Sequence, residues 1–311
     1  MKPSNQRADQ TIIGAATANL PPILLVLAAA LLWSTGGLFI KKTSLTAFEL
    51  SCGRSLLAAA AVAFFTRREG FGINIVTGTA AVLYAALLLL FVIATKLTTS
   101  ANAIFLQYTA PIYILIFEPL LYKERFRPRN LAVIVACAAG MSLFFIGQLR
   151  ADDVRGNIAA LVSGLCFAFF ALLLRHPRAR QVNRASSVIY GNVLLAAATA
   201  LLLVFAPELT RSAGSISLSD FGIIAYLGIF QIGLAYTLFT LGIARGVRSL
   251  DAGIIGYVEP VLNPVWVFIF VGERPSRWAL LGGAIIITAV ALHTVLSHKF
   301  RAQSPQLQVD V

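Results

Sequence analysis

Apolar positions along this chain are gathered into long unbroken runs, and polar positions into short clusters between them. Ten runs can be traced, at residues 20–40, 46–65, 73–96, 101–122, 131–148, 156–174, 187–205, 221–244, 250–271 and 279–296. Each approaches the ~20 residues that a helix rising about 1.5 Å per residue needs to cross a ~30 Å hydrocarbon core. The pattern predicts an all-α membrane protein of ten transmembrane helices, joined by connections too short to hold an extramembrane domain.

Composition strengthens that picture. Of 311 residues, 58% are hydrophobic and only 12% charged, with a mean hydropathy of +0.82. An ordinary soluble domain carries about 25% charged residues, so this chain cannot coat a soluble core of its size. The net charge of +12 raises the question of nucleic acid, and the placement of the cations answers it. They lie at run ends, as in Arg67-Arg68, Lys123 to Arg129, and Arg175 to Arg184. Such clusters mark loops facing cytoplasm and anionic lipid, and no segment is long enough for a nucleic-acid-binding module. With the N-terminus inside, the inner segments hold 16 Lys and Arg, the outer loops 8, and Arg54 falls within a run. Both termini are therefore placed in the cytoplasm, with a bacterial cytoplasmic (inner) membrane as the expected location. The lipid bilayer and a small-molecule solute are the expected partners, and a homodimer is left open. Cys52, Cys137 and Cys166 lie inside apolar runs, without disulfide or metal spacing. The first apolar run is too long for a signal-peptide core and further runs follow it, so a cleaved signal is not expected.

An internal repeat organises the runs. Residues 101–125 align with residues 250–274 at a shift of 149, bringing Tyr108 onto Tyr257, Pro111 onto Pro260, Glu124 onto Glu273 and Arg125 onto Arg274. Upstream, Lys96 falls on Arg245 and Ser100 on Ser249. Because each copy holds five helices, an odd number, the second enters the membrane in the opposite sense. Two inverted five-helix repeats around a central cavity suit alternating access, in which a site opens to either side in turn. The predicted organisation is a flexible cytoplasmic segment 1–19, a first repeat 20–148, a linker 149–155, a second repeat 156–296 and a cytoplasmic tail 297–311.

Four segments then resemble the EamA-type transporters of the drug/metabolite transporter superfamily. They are LLWSTGGLFIKK (31–42), ELSCGRSLLAA (49–59), the stretch from Pro111 to Glu124-Arg125, and GYVEPVLNPVWVFIFVGER (256–274). The likeness runs from about residue 20 to residue 296. It implies ten helices, both termini inside, and a cavity lined mainly by the first, third, fourth, sixth, eighth and ninth of them, with the fifth and tenth peripheral. Members export or exchange amino acids, metabolites, nucleosides or drugs, so the resemblance implies the activity class and leaves the solute open.

Candidate chemistry gathers near the repeated prolines. Pro111 and Pro260 sit about ten residues into their runs, roughly 15 Å deep and near the midplane. A proline removes the amide bond to the carbonyl four residues back, so the carbonyls of Gln107 and Gly256 are expected free. The pair reads either as hinges beside a solute site or as packing kinks. Glu259, directly before Pro260, has Ala110 as its counterpart in the first repeat. It reads as a carrier of a coupling proton, as the partner of a solute amine, or as a structural carboxyl satisfied by the eighth helix or the broken backbone. The resemblance does not separate these, since members with different solutes share an acidic position there. Arg54 matches the arginine of the family's second-helix motif and reads as a structural charge or a solute-carboxylate ligand; Glu49, about 140° around the helix, is poorly placed to pair with it. Glu118 is expected to snorkel or pair with Lys123 at the cytoplasmic interface.

Polar and aromatic residues at mid-run complete the candidate solute site: Trp33, Ser34, Tyr84, Gln107, Tyr108, Gln231, Tyr236, Tyr257 and Asn263, with Tyr190, Asn192 and Thr35 also noted. Rings mixed with a few polar groups suit a small amphiphile such as an amino acid, and packing in the bundle is the competing reading of each. Gly36 and Gly37, and the small-residue pairs Ala136–Gly140 and Ala160–Gly164, suit close helix approach. No catalytic residue, metal or cofactor is expected: H-E-x-x-H, G-x-S-x-G and G-x-x-x-x-G-K-[ST] do not occur. An intramembrane enzyme or an ATP-driven pump is thereby disfavoured. A secondary carrier that exports an amino acid or similar metabolite is expected, with a multidrug or nucleoside efflux carrier as the alternative.

Overall fold

A computed structural model describes residues 11–123, 127–144, 146, 153–210, 216–271 and 277–302. The Glu124-Arg125 and Glu273-Arg274 pairs of the repeat, the side chain of Asn263, and most of the expected N-terminal segment, linker and tail lie outside the described residues. Among those described there is no strand. The helices are α1 (Pro22–Trp33), α2 (Gly36–Lys42), α3 (Ala47–Thr66), α4 (Ile75–Leu97), α5 (Ser100–Gln107), α6 (Ala110–Tyr122), α7 (Pro128–Phe144), α8 (Val154–Leu173), α9 (Ser186–Phe205), α10 (Leu218–Tyr226), α11 (Ala235–Ala244), α12 (Ser249–Gly256), α13 (Val258–Val271) and α14 (Arg277–Ala302). A π-helical segment, Leu227–Leu234, fuses α10 to α11.

Helix is the form these runs must take if no water reaches their backbone, because it satisfies amides and carbonyls within one segment. Polar residues between the runs start the helices. Thr46 and Glu49 form a capping box on α3, Asn74 and Thr77 on α4, and Ser217 and Asp220 on α10. Seven helical stretches among the described residues are long and apolar enough to cross a membrane: Pro22–Lys42, Ala47–Glu69, Ile75–Leu97, Asn102–Tyr122, Val154–Leu173, Ser186–Phe205 and Leu218–Ala244. The runs expected at 131–148 and 279–296 form shorter apolar helices, and that at 250–271 is divided into α12 and α13.

Polarity is arranged as a multi-spanning membrane protein requires. Leu56, Val82, Leu120, Val135, Phe205 and Leu280 are exposed on the outside of the bundle, whereas Arg54, Glu118, Asn192 and Glu259 are buried within it. Loops collect at two ends. At one end Asp220 accepts from the Thr43 hydroxyl (2.5 Å) and the Ser44 hydroxyl (3.0 Å), Lys96 donates to the Thr43 carbonyl (2.9 Å), and Thr98 donates to Asp153 (2.9 Å). At the other, Arg184 pairs with Glu69, Arg245 donates to the Thr17 carbonyl (2.8 Å), and Asn74 donates to the Arg178 carbonyl (2.6 Å). Thus α4 runs from the second end to the first, and residues 218–244 run from the first to the second.

Glu118 does not snorkel. It is fully buried at the second end, where Arg175 (2.6 Å) and Arg248 (2.8 Å) both donate to it. Two cations from separate loops compensate its desolvation better than one flexible lysine at the interface would.

Packing crosses between the two halves of the chain. The α4 helix lies against α8 and α9, while the continuous helix 218–244 lies against α1 and α3. The α7 and α14 helices pack together. Small residues set the close crossings. A Cβ on Gly164 would lie 2.5 Å from the Gln107 carbonyl oxygen, one on Gly140 2.9 Å from the Gly282 carbonyl oxygen, and one on Gly36 2.7 Å from Nε2 of Gln231. A Cβ on Gly222 would meet nothing within 4 Å. Gly164→Ala is accordingly expected to destabilise the fold by about 1–3 kcal/mol through overpacking, whereas Gly222→Ala is expected to leave thermal unfolding in detergent unchanged. Equal melting temperatures for the two variants would show that the α5–α8 crossing is not close.

Candidate solute site in the centre of the bundle

The repeated prolines shape the site, though not as interior kinks. The sequence places each about ten residues into a continuous helix; the structure ends the helix before each proline. The α5 helix stops at Gln107 and α6 begins at Ala110, and α12 stops at Gly256 and α13 begins at Val258. Pro111 and Pro260 therefore sit in the first turn of a new helix, where the missing amide breaks no intrahelical bond. The Gln107 carbonyl, expected free, faces Gly164.

Two tyrosines join the broken helices. The Tyr257 hydroxyl donates to the Tyr108 carbonyl at 3.0 Å, and the Tyr108 hydroxyl donates to Glu259 at 2.7 Å. Their ring centroids are 5.2 Å apart, and Gly256 admits the Tyr108 ring, whose Cε1 would lie 3.1 Å from an added Cβ. Glu259 is thus held by the opposite half of the chain rather than by residues 218–244 or by its own broken backbone.

Beside this bridge is a cavity of about 50 Å³. Trp33, Gln107, Tyr108, Gln231, Tyr236, Glu259, Arg54 and Pro111 of the sequence-derived candidates line it. Other candidates stand behind the wall. Tyr84 is buried against Tyr236 (4.7 Å between centroids) and Phe170 (5.1 Å) and receives a hydrogen bond from Asn192 at 3.2 Å. Ser34 accepts from the Trp266 indole at 2.8 Å and donates to the Leu31 carbonyl, in the break between α1 and α2. Tyr257 faces Tyr108, Pro260 follows Glu259 in α13, and Tyr190 is tied to the Phe71 carbonyl at the second end.

Leu87, Leu88, Phe91, Phe167, Ala252 and Gly253 complete the wall without having been singled out from sequence. The signal for Ala252, Gly253 and Gly256 was available as small residues on one short helix, where missing side-chain volume makes room. The π-helical segment gave none. It carries Gln231 to the cavity while Gly228 presses on α3, where an added Cβ would lie 2.7 Å from the Arg54 carbonyl oxygen. Such insertions often mark functional positions.

Three buried polar atoms of the lining residues have no protein partner among the described residues: Nε1 of Trp33, Oε1 of Gln231 and Nε of Arg54. The Trp33 ring packs against Tyr236 (4.8 Å), Phe239 (5.2 Å) and Phe167 (6.1 Å), so its position is fixed by neighbours. The wall is a rigid aromatic surface with unspent hydrogen-bonding capacity.

Helices with lipid-facing apolar surfaces, broken at their centre around a polar-edged cavity, define a polytopic membrane protein with an internal cavity. Comparison with known proteins gives the same class and narrows it. The profile of the EamA-like transporter family matches residues 20–146 and again 154–295, and the chain belongs to that family. The aromatic amino acid exporter YddG of Ancylobacter novellus is 26% identical over 291 residues, covering 87% of this chain and 96% of its own. The uncharacterized transporter YwfM of Bacillus subtilis is 29% identical, covering 86% and 93%. Solute carrier family 35 member G1 of Homo sapiens is 23% identical, covering 85% and 75%. A crystal structure at 22% identity shares the fold, with a TM-score of 0.75 over 90% of this chain and 98% of the other.

The bridge between the broken helices is open to a direct check. In a double-mutant cycle of Tyr108→Phe and Glu259→Gln, thermal unfolding in detergent is expected to show a coupling of about 1–2 kcal/mol, the size of a buried hydrogen bond to a carboxylate. Additive losses would mean that the two side chains do not share a bond.

Proposed function

We propose that this protein is a secondary carrier that moves a small amphiphile, an amino acid or similar metabolite, across the bacterial cytoplasmic membrane by alternating access, with export as its direction. The observation that carries the reading is the central cavity: aromatic walls, three unpartnered polar atoms, and broken helices from both halves of the chain meeting at its edge.

The packing supports ten crossings in two inverted repeats. Equivalent helices, α4 in the first half and residues 218–244 in the second, run in opposite senses, and each lies against the first two helical stretches of the other half. In that arrangement the breaks at Tyr108 and Tyr257 act as hinges. The second end carries Arg67, Arg68, Arg175, Arg178, Arg180, Arg184, Arg245 and Arg248, which supports a cytoplasmic placement for it and for both termini. Export draws support from the relative described as an aromatic amino acid exporter. Transport rather than catalysis is supported by the family and by relatives described as transporters and solute carriers. Glu259 serves as the coupling group, buried at the cavity edge and within reach of Tyr108. The same carboxylate beside aromatic rings favours a second reading, efflux of cationic drugs, in which it faces the cation.

Proteoliposomes test the reading. Counterflow that saturates and is stimulated by trans solute is expected; unsaturable flux without trans-stimulation would point to a channel. Glu259→Gln is expected to keep counterflow and lose acceleration by an imposed proton gradient. An unchanged response at every external pH would remove the coupling role.

A further inference from the structure

Arg54 stands near the middle of α3, is 1% exposed, and is one of the residues that line the cavity. A guanidinium offers five N–H donors and does not give up its proton. Among the described residues Arg54 makes a single hydrogen bond, from Nη2 to the Leu88 carbonyl at 3.1 Å, and its buried Nε has no protein partner. No carboxylate of the described residues neutralises it. Glu49, on the same helix, closes the N-terminal capping box through the Thr46 amide (2.9 Å), and Glu259 accepts from Tyr108. The backbone at Arg54 is closely packed, because Gly228 of the π-helical segment lies against its carbonyl. A fixed buried cation without a counter-charge is strongly unfavourable in a low-dielectric bundle, and a purely structural role through one carbonyl leaves most of its donors unspent.

We infer that Arg54 is the carboxylate subsite of this cavity, so that the carried solute is a carboxylate with an aromatic or branched apolar body. The planar fork suits a carboxylate, and the body lies along Trp33, Phe91, Phe167 and Tyr236, which line the same space. The inference rests on the reading of the cavity as the solute site, and adds to it the charge of the solute. It also separates the two readings above, since a lipophilic cation would be repelled from this wall.

The test is binding to the purified full-length protein, followed by thermal shift and calorimetry, of phenylalanine, phenylalaninamide, 3-phenylpropanoate and tetraphenylphosphonium. Phenylalanine and 3-phenylpropanoate are expected to bind about tenfold or more tightly than phenylalaninamide, the discrimination of a charge-assisted bond. Arg54→Gln is expected to bring acid and amide within about twofold while amide binding persists, and Arg54→Lys to restore part of the difference, which a merely structural role would not do. If Arg54→Gln does not fold, the acid-to-amide ratio of the unaltered protein still decides. Equal binding of acid and amide overturns the subsite and leaves the cavity as the solute site. Binding of tetraphenylphosphonium alone, or of none of the four, overturns the carboxylate subsite and counts against the amphiphile reading with it.

Discussion

Backbone that leaves a helix inside a membrane must find partners within the protein, and here that constraint is met by one cross-half contact. The Tyr257 hydroxyl bonds the Tyr108 carbonyl, and the Tyr108 hydroxyl returns to Glu259, two residues beyond Tyr257. The two helices can be broken at equivalent places because each break is supported by the other half of the chain. Everything else about the centre follows from that junction. Breaking the helices creates the space, the ring pair closes one side of it, and Glu259 is held at its edge rather than buried in a helix interface.

The same economy governs charge. The buried carboxylates and cations at the two ends are matched to partners on separate loops, as Glu118 is to Arg175 and Arg248, and Asp220 to Thr43 and Ser44. Those contacts tie the halves together without needing water. Trp33, Gln231 and Arg54, three residues that line the cavity, each keep a buried polar atom with no protein partner among the described residues. A solute bonded to those atoms would replace no hydrogen bond that the described residues already make.

Helix positions and the twofold family match were legible because each rests on a local or periodic signal. Apolar run length reports a crossing, and a shift of 149 aligned Tyr108 with Tyr257 and Pro111 with Pro260. The helices stop at Gln107 and Gly256, the residues whose carbonyls the prolines were expected to free, and each proline lies in the first turn of the helix that follows. Burial alone could not tell wall from support. Tyr84 and Tyr236 are both buried and touch each other, yet Tyr236 lines the cavity and Tyr84 does not, because Tyr84 is held back by Phe170 and Asn192. Ser34 was likewise drawn away by Trp266, a partner 232 positions distant. The π-helical segment was not legible at all, since an extra residue per turn leaves no mark on a run that is apolar throughout.

The central claim is that a solute enters the cavity between the broken helices from either side in turn. Gly253 lines that cavity, and a Cβ there would meet Pro111 and Ile114 only at ordinary contact distance, 3.4 Å. With Cys52, Cys137 and Cys166 replaced and Gly253→Cys introduced, labelling by a membrane-impermeant maleimide measures access from each face of sealed vesicles. The account predicts labelling from both faces, slowed by saturating phenylalanine or whichever solute drives counterflow. Labelling from neither face, or labelling that a transported solute leaves unchanged, would contradict it.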